Sequence, residues 1–416
     1  MQLNMSRLFP IFDQVLFAAT NFSLAIILAR YHSPEVVAAY GLGLSVALVL
    51  QAIQRHVIII PLNLRKKVKN EKLSRTWLGT HFIATGCMLS FVGVFCSLAT
   101  QLLMKEYVNL VAFSVLALII IYMQAEFGRA FLIAINQTKF VIVPAIFQIS
   151  AVSYIAYFGV QDPYAYIKIL AILVAASTAS AFLLVTLVGS PEWVFGDRHL
   201  RRLIRKYARW GSLGVLASAG YNHVPLLILG VFASPLQAAA FITMRNLLQP
   251  SQVLMRGLDI VDKRKVGGFR YTDTTAMYRK ADQLVLAYGL LAAAYALVIN
   301  LGGEWLSGVV YGEGYRVFAD LLVPWAVIYV LMAMLFPLES LAYASDKIKS
   351  YYTIRIFAGV AATMMAFPLI WNLHAMGAVI ACLIGWVITV GGTYWMLKRS
   401  EWKNVAVTNI KNAGEV

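Results

Sequence analysis

Apolar runs about twenty residues long, separated by short polar segments, recur along the whole chain. A helix that crosses a bilayer needs roughly 20 mostly apolar residues. Runs that meet this requirement fall at 9–29, 36–62, 77–103, 108–128, 141–160, 165–188, 210–232, 237–258, 284–301, 318–338, 352–371 and 376–397. They are continuous rather than alternating, which predicts helices and not the strands of a barrel. The first run is too long for the apolar part of a secretory leader and is followed by further spans, so it reads as a span itself. The expectation is an all-α integral membrane protein with twelve transmembrane helices.

Composition agrees. Of the 416 residues, 60% are hydrophobic and 13% charged, where a soluble domain has about half and a quarter. The net charge of +16 then becomes informative about sidedness. If both termini are cytoplasmic, 29 of the 35 Lys and Arg residues fall on that side and four on the other, while Arg55 and Arg245 lie within spans. This is the asymmetry expected of a multi-pass membrane protein in that orientation. The positive charge is divided among short segments that favour anionic lipid headgroups, so it predicts membrane lipids as partners and no nucleic acid. Cys87, Cys96 and Cys382 show no metal-like spacing, and neither metal nor cofactor is expected.

Shifting the chain by 201 residues lays "ILARYHSPEVVAAY" (27–40) over "ILGVFASPLQAAAF" (228–241). At the same offset Asn21 falls on Asn222, Gln51 on Gln252 and Arg55 on Arg256. The Ser-Pro turn and these polar coincidences carry the match, because apolar residues repeat by chance in such a composition. Six spans separate the copies, so both enter the membrane in the same direction, the parallel-repeat plan of many transporters. The expected organisation is a six-helix lobe at 1–188, a basic cytoplasmic linker at 189–209, a second six-helix lobe at 210–397 and a polar tail at 398–416. Substrate is expected between the lobes.

Polar residues inside the spans suggest the chemistry. Arg245, Gln249, Gln252 and Arg256 recur at steps of 4, 3 and 4, within about 60° of one another on a helix. An arginine at mid-span costs about 2.5–3.5 kcal/mol, so this stripe belongs in the protein interior or a wet cavity. Pro250 allows a bend beside it. Arg245 either is a buried residue pairing with an acid or with carbonyls to hold two helices together, or lines a cavity for an anionic cargo; guanidinium suits phosphate through its planar, bidentate donors. In the first two spans Asp13, Phe17, Thr20 and Asn21 share one face, and Gln51 and Arg55 another. Asp13 and Arg55 either pair with each other or leave Arg55 free to reach the cargo. In the seventh span Asn222 shares a face with Ser218 and Pro225, and His223, beside it, is either a packing residue or a titrating one. His81, Lys168 and Arg30 read as residues that snorkel from span ends. The chain contains no H-E-x-x-H, Walker A, G-x-S-x-G or D-x-D signature, and 301–317 reads as a short Gly-rich loop, so no enzyme is expected.

The stretch "FDQVLFAATNFSLAIILARYHSPEVVAAYGLGLSVALVLQAIQR" resembles the opening of Wzx-type polysaccharide-unit flippases of the multidrug/oligosaccharidyl-lipid/polysaccharide (MOP) superfamily. Asp13-Gln14, Thr20-Asn21-Phe22, Leu28-Ala29-Arg30, Ser33-Pro34-Glu35 and Tyr40-Gly41 carry the resemblance, which is strongest over about 45 residues. It implies a MATE/flippase-like fold and transfer of an undecaprenyl-pyrophosphate-linked oligosaccharide from the cytoplasmic to the periplasmic leaflet of a bacterial inner membrane, beside polysaccharide polymerase and chain-length proteins. The two additional spans usual in lipid II flippases are missing, which argues against a peptidoglycan precursor as cargo. On this reading Arg245 is the main pyrophosphate contact, Arg55 and Arg256 guide the entrance, and Gln249, Gln252, Gln51, Asn21 and Asn222 offer hydrogen bonds. Three alternatives remain: a multidrug exporter, for which acids would be expected where this chain has arginine; a polymerase or ligase, which normally needs a large periplasmic loop; and a passive scaffold.

Overall fold

A computed structural model of the protein describes residues 5–60, 71–103, 106–135, 137–158, 164–192, 211–269 and 274–413. No strand occurs among them. The chain is a multi-pass membrane protein: seven described helices are long and apolar enough to cross a bilayer, or eight if one bent pair counts as a single span. Two compact units are present, one formed by Met1–Val215 with Ser234–Ala239, the other by Leu216–Ala233 with Ala240–Val416.

Unit 1 contains α1 (Met5–Tyr31), α2 (Pro34–Gln54), α3 (Glu71–Leu103), α4 (Glu106–Ala134), α5 (Ile142–Phe158) and α6 (Ala165–Val188). The last turn of α2 widens into a π-helix, Arg55–Ile59. α2 and α6 pack against α4, α5 lies along α1, and α3 leans on α4. The approach of α2 to α4 depends on Gly43, where a Cβ would sit 2.9 Å from the Ser114 backbone. At one end of the bundle Trp77, Phe127, Phe131, Leu184 and Val188 form a buried apolar cluster.

His81 belongs to that cluster, which corrects its reading as a snorkelling residue. It is 0% exposed, stacks on Phe127 at 3.8 Å between ring centroids, and bonds to Gln54 (2.9 Å) and Gln124 (3.0 Å). Two amides on neighbouring helices satisfy both ring nitrogens, so the imidazole has no need to reach water.

The start of the expected linker is clamped to unit 1. Arg75 Nε donates to the Ser190 carbonyl (2.8 Å) and the Glu192 amide donates to the Arg75 carbonyl (3.1 Å). Gly79 permits this contact, since a Cβ there would meet the Glu192 carbonyl oxygen. Residues 193–210, most of the linker, lie outside the described residues. The chain resumes at Gly211, whose backbone sits against the His56 ring, also in unit 1.

Beyond it come α7 (Gly211–Asn222) and α8 (Val224–Phe232), bent by 45° at His223. α9 (Pro235–Gly268), α10 (Thr274–Leu301), α11 (Gly303–Tyr311), α12 (Leu322–Ala344) and α13 (Ile348–Ala413) follow. α13 is broken at His374, where φ is 50°. α2 and α9 both begin at proline, and in each case the carbonyl of the serine before it accepts the amides three and four residues later, as at a helix start: Val36 and Val37 on Ser33, Gln237 and Ala238 on Ser234. Proline at this position loses no hydrogen bond, because the first helical amides have no partner in the helix. Segment 301–317, expected as a loop, is instead α11 and the beginning of a 3-10 helix, Glu313–Leu321. Within unit 2, α7 and α13 touch at Gly220 and Gly359; a Cβ on Gly359 would lie 2.2 Å from the Ala217 carbonyl oxygen.

Candidate functional site

The polar stripe of α9 is present in unit 2 as one continuous helix with Pro250 inside it. Proline removes an amide from the helix ladder, and side chains can make up for it in a membrane. Three side-chain donors reach carbonyls beside that of Asn246, the one an amide at position 250 would have served: Tyr329 Oη the Arg245 carbonyl (3.2 Å), Tyr295 Oη the Leu247 carbonyl (2.9 Å) and Ser251 Oγ the Leu248 carbonyl (2.7 Å).

The Arg245 side chain is half-buried. Its guanidinium carbon lies 5.6 Å from the centre of the Trp325 ring, a cation–π contact with an indole that is 3% exposed. Among the described residues no carboxylate lies within ion-pair distance of it. Of the two readings of Arg245, pairing with an acid is therefore not what unit 2 contains. Gln249 and Gln252 are half-buried and Arg256 is exposed; among the described residues neither glutamine has an internal hydrogen bond.

Asn222 is engaged within unit 2: its oxygen accepts from Trp386 Nε1 of α13 (3.1 Å), and its amide nitrogen donates to the Ser218 carbonyl one turn back in α7 (3.0 Å). His223 stands at the break between α7 and α8, and its Nδ1 is buried without a partner among the described residues. Arg355 lies inside α13 and donates to Tyr221 Oη (3.0 Å) and Tyr351 Oη (3.2 Å).

In unit 1 the question of Asp13 and Arg55 is decided by other residues. Asp13 is 3% exposed and pairs with Arg129, not with Arg55. Arg129 also reaches Glu126 (2.9 Å), and the other Glu126 oxygen takes Arg55 (2.7 Å). Asp13, Arg129, Glu126 and Arg55 therefore form one chain of alternating charge. α1 enters, and α2 and α4 leave, the same end of the bundle, which brings the four together. The rest of the expected face of α1 turns inward: Tyr122 Oη donates to Asn21 Oδ1 (2.7 Å), and Thr20 bonds back to the Leu16 carbonyl (2.8 Å). Gln51 Nε2 reaches the Tyr122 carbonyl (3.4 Å). Glu126 and Arg129 were legible as an acid three residues before an arginine, a spacing that places both on one helix face.

Neither a family model nor a curated protein matches the sequence. Solved structures do match the fold. One is a multidrug resistance MATE family transporter of the MOP superfamily in an inward-facing conformation, with a TM-score of 0.71, 16% identity, and 93% of this chain and 94% of that one covered. Another is the lipid II flippase MurJ in an inward closed conformation, with a TM-score of 0.71, 11% identity and coverage of 95% and 87%. A third is a MOP superfamily transporter from Pyrococcus furiosus for which a reverse polarity of the binding pocket suggests a different function; its TM-score is 0.56, with 16% identity and coverage of 95% and 91%. The chain shares the fold of these solved structures.

Proposed function

We propose that the protein is a flippase of the bacterial inner membrane, moving an undecaprenyl-pyrophosphate-linked oligosaccharide by alternating access for cell-surface polysaccharide synthesis. The observation that carries the reading is Arg245, a half-buried guanidinium on an aromatic platform with no carboxylate partner among the described residues. A diphosphate and its sugars cannot shed water into hydrocarbon without replacement hydrogen bonds, and Arg245 with the unengaged amides of Gln249 and Gln252 offers them. Arg256 stands eleven residues further along α9, about 16 Å in an ideal helix. One diphosphate does not span that distance, so Arg256 is an earlier station rather than a second ligand to the same group.

The reading includes twelve spans in two six-helix halves. α1–α6 supply six; α7 with α8, α9, α10, α12 and the two arms of α13 supply the other six. Both termini are cytoplasmic, and polysaccharide polymerase and chain-length proteins are the expected partners. The test replaces Arg245 with Ala and with Lys and measures surface polysaccharide at equal protein level in a strain lacking the native copy. Loss with Ala and partial loss with Lys is expected; unchanged output from both removes Arg245 from the mechanism.

Multidrug export is the second reading, favoured by the likeness to a multidrug resistance MATE transporter. Protection of cells against cationic dyes, retained in Arg245→Ala, would decide for it.

A further inference from the structure

The charge chain of unit 1 is graded in burial. Side-chain exposure is 4% for Asp13, 9% for Glu126, 11% for Arg129 and 58% for Arg55. The three inner members hold one another: Arg129 uses Nε on Asp13 and Nη1 on Glu126 Oε2. Arg55 is the outer member and has a weaker grip. Its Nε (3.0 Å) and Nη2 (2.7 Å) converge on the single oxygen Oε1 of Glu126, rather than matching two oxygens as a fork-on-fork pair does. It also opens the π-helical turn Arg55–Ile59, an irregularity that recurs at functional sites.

An ion pair so exposed adds little stability, and Glu126 retains Arg129 when Arg55 leaves. We infer that Glu126 is a resident competitor for the substrate: it occupies Arg55 until a group of higher negative charge displaces it. This inference rests on the anionic cargo proposed above and adds selectivity to it. A diphosphate outcompetes one carboxylate that is already shared with Arg129; a neutral or cationic ligand does not.

The experiment titrates inorganic pyrophosphate into the purified full chain in detergent by calorimetry, with sulfate as the reference anion. Glu126→Gln, which keeps the shape and removes the charge, is expected to bind pyrophosphate on the order of tenfold tighter than wild type. The gain should vanish when Arg55→Gln is added. Arg129→Lys keeps the inner charge but cannot bridge both acids, so Glu126 falls back on Arg55 and binding weakens; this variant decides the matter if Glu126→Gln does not fold. An unchanged or weaker affinity in Glu126→Gln, or a gain that survives loss of Arg55, overturns the competitor role alone. Wild type and Glu126→Gln that both fail to bind pyrophosphate above sulfate overturn the substrate reading with it.

Discussion

Replacing Arg129 with alanine removes the one cation that two buried carboxylates share. Asp13 then has no basic partner in the charge chain, and Glu126 has only the exposed Arg55. Stripping one member from a buried ion pair costs about 3–5 kcal/mol, most of it the desolvation of the charge left behind. For a unit of about this size that corresponds to a fall in the unfolding midpoint on the order of 10 °C. The assay is thermal unfolding of the detergent-purified protein, followed through unit 1. The test of the reasoning is a double variant. In Asp13→Asn with Arg129→Ala the stranded charge is gone, while Glu126 and Arg55 still balance, so stability should recover by roughly 2 kcal/mol or more relative to Arg129→Ala. If the double variant is no more stable than Arg129→Ala, the network is not what holds Asp13, and the argument fails.

Other expectations are simpler. His81→Phe keeps the stack on Phe127 but takes one hydrogen-bond partner from each of Gln54 and Gln124; it should cost about 1–3 kcal/mol in unfolding free energy. Gly359→Ala pushes a methyl group into the Ala217 carbonyl of α7 and should destabilise unit 2 by about 1–3 kcal/mol, read from its thermal midpoint, or prevent accumulation of the protein. His374→Gly relieves a positive φ at the break in α13 and should raise stability by about 1 kcal/mol in the same measurement.

Much of this architecture was legible because bilayer spans advertise themselves by length and apolarity, and because Ser33-Pro34 and Ser234-Pro235 mark helix starts. The stripe on α9 was legible for the same reason: its period lies within one helix, so Arg245, Gln249 and Gln252 share a face whatever surrounds them. What surrounds them was not legible. Trp325 and Tyr329 come from α12, about eighty residues away, and apolar runs do not say which helices touch. The partner of Asp13 shows the same limit: Arg55 and Arg129 both fall at the right end of the bundle, and only the packing of α1 and α4 chooses between them. His81 looked like an interfacial residue because polar side chains near span ends usually are, but amides on adjacent helices satisfy it inside. The α11 segment escaped because a nine-residue helix rich in glycine has too few turns to register as a pattern.

Glu192 and Gly211 both rest on unit 1, so the eighteen positions between them begin and end on the same body. A peptide tag or a small fluorescent protein spliced there would have both its attachment points on one side of any rearrangement between the units. That makes 193–210 a suitable place for a reporter tied to unit 1 alone.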